Sequence, residues 1–532
     1  MCLRAIALLL LAALPLAVPR AAAKTLVYCS EGSPENFYPG INATLTSFDA
    51  SSRPLYNRLV EFERGGTRLV PGLAASWEVS ADGRAYTFHL RRGVKWQTTR
   101  DFAPTRDFDA DDVVFSFARQ WRKDDPWYRV TSDDHGYFDA MGFPALLKSI
   151  DKLDDHTVRF VLNAPEAPFL ADLAMDFASI ISEEYADRMM AAGTPERLDQ
   201  APVGTGPFQL ERYRKDTLIR YRANPDYWQG KAKLDSLVFA ITPDAAVRLA
   251  KLKANECQVM ADPDPADIPA ITADPALALA TAPGLNIGYI AFNTRKTPFG
   301  DVRVRRAVAM AVDKRAIIAA VYGGMATPAA TPIPPGLWSH DDAIADYPYD
   351  PAAARKLLAE AGYPRGFATT LWALPLQRPY NPNGRRMATL VQAELAAIGV
   401  RAEIVSYEWG EYRRRLNRGE YDMAEIGWIG DNGDPDNFLY TLLACPHGTA
   451  GSGNSGGWCD PRFQSLVLAA KRSADQAQRA RLYRQAQAIF HDAEPWVPIA
   501  YGAQVDAIRR SVQDYKPSPF GHHDFYGVDL RQ

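Results

Sequence analysis

Two chemical signatures overlap in one short loop of this chain. Gly453-Asn454-Ser455-Gly456-Gly457 has the GxSxG spacing of a hydrolase nucleophile elbow, and Gly451-Ser452-Gly453-Asn454-Ser455-Gly456 has the GxGxxG spacing of a dinucleotide cradle. Both chemistries need an apolar strand before the glycines and a helix after them. Here the glycines lie in a Gly/Ser-biased loop between Cys445 and Cys459, where such matches arise from composition. The 8 His are scattered with no HExxH pair, so neither a metal site nor a proton-transfer constellation follows from spacing. His522-His523 reads as a solvated pair in a tail. No catalytic residue, cofactor or metal is expected; an exported hydrolase using Ser455 is the competing reading from another class.

The cysteines point to structure instead of chemistry. Cys2 belongs to an amino-terminal segment with a removable-signal pattern: Arg4, an apolar run from Ala5 to Val18, and Ala21-Ala22-Ala23 before Lys24. That run is shorter than the ~20 apolar residues of a membrane span. Residues 1–23 are therefore expected to be a signal peptide, and the mature protein to be exported and soluble. Cys29, Cys257, Cys445 and Cys459 then form an even set with three possible pairings and no CxxC pair. The simplest joins Cys445 to Cys459 and Cys29 to Cys257.

With 532 residues the chain holds roughly three or four domain-sized units. Its 60 Lys+Arg against 63 Asp+Glu leave a formal charge of -3, with no basic cluster, so nucleic acid is not expected as a partner. The pattern along the chain is mixed α and β. Tyr86, Phe88 and Leu90 alternate with polar residues after an Asp82-Gly83 turn, as a half-buried strand does. Asp109, Asp111 and Asp112 crowd the start of a helix whose Val113, Val114 and Phe117 share a face. Further on, strand Thr369 to Ala373, helix Arg385 to Ile398 and strand Arg401 to Ser406 read as βαβ material.

LVPGLAASWEVSADGRAYTFHLRRGVKW, FDADDVVFSF, VGTGPFQL, DVRVRRAVAMAVDKRAII and KLLAEAGYP stand in order at the spacing of the large periplasmic oligopeptide-binding proteins that serve ABC importers, extracellular solute-binding family 5. The chain resembles that family over essentially its whole mature length. KTLVYCSEGSPENFYPG, LWALPLQRPYNPN and GWIGDNGDPDNF resemble its dipeptide-binding branch more closely. The resemblance implies an α/β, two-lobed clamp of the Venus-flytrap kind with an extra subdomain in the first lobe. Residues 24–56, 205–283 and 502–532 would form the first lobe, 57–204 the added subdomain and 284–501 the second lobe. Crossings near Ala282-Pro283-Gly284 and Pro498-Ile499-Ala500 would make the hinge. The function implied is capture of dipeptides in the periplasm and delivery to an inner-membrane ABC permease, without chemistry.

A dipeptide is a zwitterion whose charges lie about 6 to 7 Å apart, so two fixed opposite charges measure its length. The resemblance assigns Asp431 to the ligand's ammonium and Arg378 to its carboxylate, where a guanidinium can bind bidentately. Peptide contacts are expected from Ala43, Thr44 and Leu45 in the first lobe, and from Pro379, Ile429 and Gly430 in the second. Tyr380, Trp409 and Trp428 are the candidate rings around water-filled side-chain pockets. The familiar dipeptide binders carry Thr-Ser-Gly where this chain has Ala43-Thr44-Leu45, and Thr where it has Ile429. That bulk implies a narrower or more apolar side-chain preference. Haem, a tripeptide or a metal chelate remain alternative ligands on the same fold, and a chemoreceptor remains open as a second partner.

Overall fold

The strand Trp496–Arg509, 14 residues long, runs through the middle of the molecule and belongs to both of its halves. The computed structural model describes residues 23–42, 44–445 and 453–531. Ala43 and almost all of the expected signal peptide, together with Gly451 and Ser452 of the GxGxxG match, lie outside the described residues. The main sheet has twelve strands. Its order is Arg401–Val405, Ala368–Trp372, Met423–Ile429, Asn286–Phe292, Trp496–Arg509, Val259–Met260, Thr25–Ser30, Ser236–Ile241, Leu218–Ala223 and Phe208–Arg214. Leu277–Pro283 and Ala326–Pro328 also pair with the long strand.

The long strand changes partners along its length. Its first part pairs antiparallel with Asn286–Phe292, Ile290 opposite Val497, and its second part with Leu277–Pro283, Leu279 opposite Ala507. Every residue of Asn286–Phe292 is buried, the signature of a strand covered on both faces. Ala368–Trp372 and Arg401–Val405 are parallel, and the helix Gly384–Ala397 between them buries Met387, Ala388, Val391 and Leu395. This is the βαβ unit read from the sequence.

A separate antiparallel sheet orders Ala74–Val79, Ala85–Leu90, Thr157–Leu162 and Leu147–Asp154. Tyr86, Phe88 and Leu90 point into its core, as their alternation requires. Helix Ala110–Trp121 packs beside it and opens on a capping box, with Asp109 and Asp112 each bonding the other's end of the first turn. The largest apolar core draws on residues from Leu26 to Ala261 and on Val512, Phe525 and Val528. Two others draw on residues from Leu285 to Tyr501 with Phe520 added. The helices Pro461–Arg472 and Gln476–Ala493 fill a stretch for which sequence patterning assigned no element.

One expectation is corrected. His522 and His523 are buried, at 8% and 7% exposure. The imidazole of His523 lies between two carboxylates, Nδ1 2.6 Å from Asp49 and Nε2 3.1 Å from Asp506. Burial alone would push its pKa down, but these two charges push it well up and keep it cationic. Contacts up to 474 positions away in sequence make the tail part of the core.

Two disulfides are formed, Cys29–Cys257 and Cys445–Cys459, closing spans of 228 and 14 residues. Loop-closure entropy scales with the logarithm of the span, giving ~5 kcal/mol for the long link and ~3 kcal/mol for the short one. Paired Cys→Ala replacement at positions 29 and 257 is therefore expected to lower the urea midpoint more than replacement at 445 and 459. Equal losses in the two variants would contradict this ordering.

Candidate ligand-binding site

A cavity of about 890 Å³ opens between the halves, beside the point where the chain crosses. Asp431 and Arg378 both line it, as do Thr44, Leu45, Pro379, Ile429 and Gly430. Tyr380, Trp409 and Trp428 do not line it. Tyr380 lies behind the cavity wall with its ring against the backbone of Gly427, where an added Cβ would come within 2.2 Å of Cδ2. Trp409 sits at the start of helix Trp409–Asn417 with the Arg378 guanidinium 5.6 Å over its ring. Trp428 faces Asn437, to which its indole N–H donates at 2.8 Å. In this conformation the three rings lie behind the charged groups, and the apolar side chains on the wall include Leu45, Ile429 and Phe520.

Arg378 rides on a turn that follows strand Ala368–Trp372. The turn closes on itself, Arg378 and Asn381 exchanging backbone bonds at 3.1 and 2.9 Å. It is pinned from below by Glu425, fully buried in strand Met423–Ile429, whose Oε2 accepts from the Leu374 N–H at 3.0 Å and from Asn381 Nδ2 at 3.1 Å. Burial pushes the Glu425 carboxyl up to about 8, against those two bonds, so it is neutral at pH 7. The Tyr322 hydroxyl donates to the Tyr380 carbonyl at 2.6 Å and holds the far side. Gly288 is required beneath: a Cβ there would lie 2.1 Å from that carbonyl oxygen.

Asp431 follows strand Met423–Ile429 at the start of the loop Asp431-Asn432-Gly433-Asp434-Pro435. Asn437 Nδ2 donates to its Oδ2 at 3.0 Å, and Asn437 Oδ1 accepts its backbone N–H at 3.0 Å. Tyr137, from helix Gly136–Ala140 in the other half, hydrogen-bonds the same carboxylate. Burial pushes Asp431 up to about 6 and these bonds pull against it. The carboxylate is thus mostly ionised at pH 7 but only weakly solvated, which suits it to receive a cation.

The first half supplies polar groups that sequence reasoning did not assign to a ligand site. Tyr137, Gln504 and His522, the last expected in a solvated tail, line the cavity, and buried Gln504 Nε2 has no partner within the protein. His522 is held neutral, its pKa down to about 3 through burial and the nearby Arg53. No motif flags these residues; their position on the cavity comes from tertiary packing alone. Ser455 does not line this cavity.

Comparison with known proteins gives four findings. The family model for bacterial extracellular solute-binding proteins, family 5 Middle, matches residues 68–450. The dipeptide-binding protein of Escherichia coli (strain K12) is 54% identical over 508 residues, 96% of this chain and 95% of that protein. The heme-binding protein A of Haemophilus influenzae is 50% identical over 506 residues, 95% of this chain and 92% of that protein. A crystal structure of a dipeptide-binding protein from Pseudoalteromonas sp. SM9913, in complex with Met-Leu, superposes with a TM-score of 0.79 at 38% identity, covering 96% of this chain and all of that one.

The buried Glu425 makes the seat of Arg378 pH-dependent. Its folded pKa of about 8 lies above the unfolded carboxyl value, so its contribution is full at low pH and is lost as pH rises from about 4.5 to about 8. Relative to wild type, Glu425→Gln should gain stability on the order of 2 kcal/mol between pH 5 and pH 8. Urea titrations at the two pH values check it, and an unchanged difference between the proteins would refute it.

Proposed function

This chain belongs to the bacterial extracellular solute-binding proteins of family 5, and on that footing we propose that it captures free dipeptides in the periplasm and delivers them to an inner-membrane ABC permease. The observation that carries the reading is the placement of Asp431 and Arg378 on one cavity, opposite charges held by separate anchors in the same half. A cavity of about 890 Å³ lies within the range of small-ligand sites, roughly 300–1,000 Å³. The ligand's ammonium would pair with Asp431 and its carboxylate with the Arg378 fork. A blocked amino terminus would leave the Asp431 carboxylate desolvated and unpaired, which costs several kcal/mol and excludes such ligands.

The lobe division expected from the resemblance is supported by the apolar cores, one built on residues 26–261 with the carboxyl-terminal segment and two on residues 285–501. Leu45 and Ile429 both line the cavity, and Leu45 occupies the space beside Gly521, where a Cβ would lie 3.4 Å from its Cδ1. Their bulk favours apolar ligand side chains over charged ones. Among the described residues no helix is long and apolar enough to cross a membrane. Export behind a cleaved signal peptide and docking on the permease complete the proposal.

Thermal melting of ligand-stripped protein against free dipeptides, tripeptides, an N-acetylated dipeptide and haem tests it. Free dipeptides should stabilise the fold by about 2.7 kcal/mol at a hundredfold excess over Kd. Asp431→Asn and Arg378→Met should each abolish the rise, and Ser455→Ala should leave it intact. A rise with haem or tripeptides alone would overturn the dipeptide reading. Leu45→Gly should level the affinities for apolar and charged dipeptides; an unaltered ratio would remove Leu45 as the selector.

A further inference from the structure

Asn437 is 3% exposed and sits in the first turn of helix Asp436–Leu443, with its whole carboxamide engaged. Its Oδ1 accepts two N–H groups, the Trp428 indole at 2.8 Å and the Asp431 backbone at 3.0 Å, while its Nδ2 donates to Asp431 Oδ2 at 3.0 Å. Two donors on the oxygen fix the orientation of the amide, since a flip would bring its NH₂ against both of them. Trp428 thus orients Asn437, and Asn437 orients Asp431. A donor on a carboxylate favours its charged form, opposing the burial that favours the neutral one.

We propose that Asn437, locked by the Trp428 indole, is the positioning residue that aims the Asp431 carboxylate at the ligand's ammonium and keeps it ionised. The inference rests on Asp431 being the ammonium partner. It gives Trp428 a role through its N–H instead of its ring face, and it makes the amine end of the site a three-residue relay within one lobe. Other titratable or charged groups also surround Asp431. Tyr137 bonds the same carboxylate from the opposite half. Asp434 is paired with Arg479 at 2.7 Å, Asp436 with Lys471 at 2.8 Å, and Asp172 accepts from Asn432 at 2.6 Å. Arg378, Asp176 and His522 share the cavity wall.

Calorimetric titration with Met-Leu from pH 5 to pH 8 tests the relay. Wild-type affinity should fall as Asp431 protonates at the acid end. In Asn437→Ala that fall should begin about one pH unit higher, with affinity at pH 7 weakened about tenfold. Trp428→Phe keeps a ring and removes the N–H, and should shift the fall in the same direction by less. A residue with a purely structural role would weaken binding equally at every pH, so a folded Asn437→Ala with the wild-type profile overturns the proposal. Should that variant fail to fold, an unshifted Trp428→Phe does the same. Asp431→Asn separates the two levels: wild-type affinity in that variant defeats the premise itself, whereas lost binding beside an unshifted Asn437→Ala profile defeats only the relay.

Discussion

The carboxamide of Asn286 donates to the Gly502 carbonyl and accepts the Gly502 N–H, both at 2.9 Å. Both residues lie where the chain passes between halves, Asn286 opening strand Asn286–Phe292 and Gly502 standing midway along Trp496–Arg509. Asn286 is fully buried, so either bond left unmade would carry the desolvation cost of a buried amide. The pair therefore fixes the register of the two crossing strands. The same glycine admits the Arg378 turn: a Cβ on Gly502 would lie 2.3 Å from the Pro379 carbonyl oxygen. One point on the sheet thus bears on both the crossing between the halves and the position of the Arg378 turn.

The opposite charge is held differently. Asp431 stands on a loop that both halves grip. Asn432 donates to Asp172 at 2.6 Å, and Lys471 bridges Asp436 at 2.8 Å and Glu166 at 2.5 Å. Asp172 and Glu166 come from the segment 57–204, so that segment reaches the loop that carries Asp431. Among the described residues the Arg378 turn has no such cross-link; Glu425, Tyr322 and Asn381, which hold it, all belong to one half. The two ends of the cavity therefore differ in what a relative motion of the halves would disturb.

Much of the secondary structure was legible because local chemistry decides it. Asp109, Asp244, Asp313 and Asp350 each cap the helix that follows them, and the alternation at Tyr86, Phe88 and Leu90 matches their burial. Val259–Met260 is only two residues long and exists by virtue of its neighbours on either side, so no window of sequence contains its cause. The buried histidines escaped for a similar reason, since Asp49 and Asp176, which face them, lie hundreds of positions away. Asp431 and Arg378 were visible only through resemblance, because a lone Asp or Arg has no periodicity to reveal it. Tyr380 and Trp428 were expected to wall the ligand's side-chain pockets, yet neither lines the cavity; which surface each presents depends on glycine contacts and an indole bond that sequence does not encode locally.

The segment from Lys24 onward meets the carboxyl-terminal segment. Lys24 bonds Asp529 at 2.6 Å, the ring of Tyr28 lies 5.2 Å from that of Phe525, and the Asp49 carboxylate holds His523. Contacts between such distant positions require the widest loop closures and come late in assembly. During synthesis, which proceeds from the amino terminus, the first strand waits for almost every following residue before its core can be completed. The core around that strand therefore stays open until the last residues are made, whereas the cores between Leu285 and Tyr501 draw almost wholly on residues already in hand.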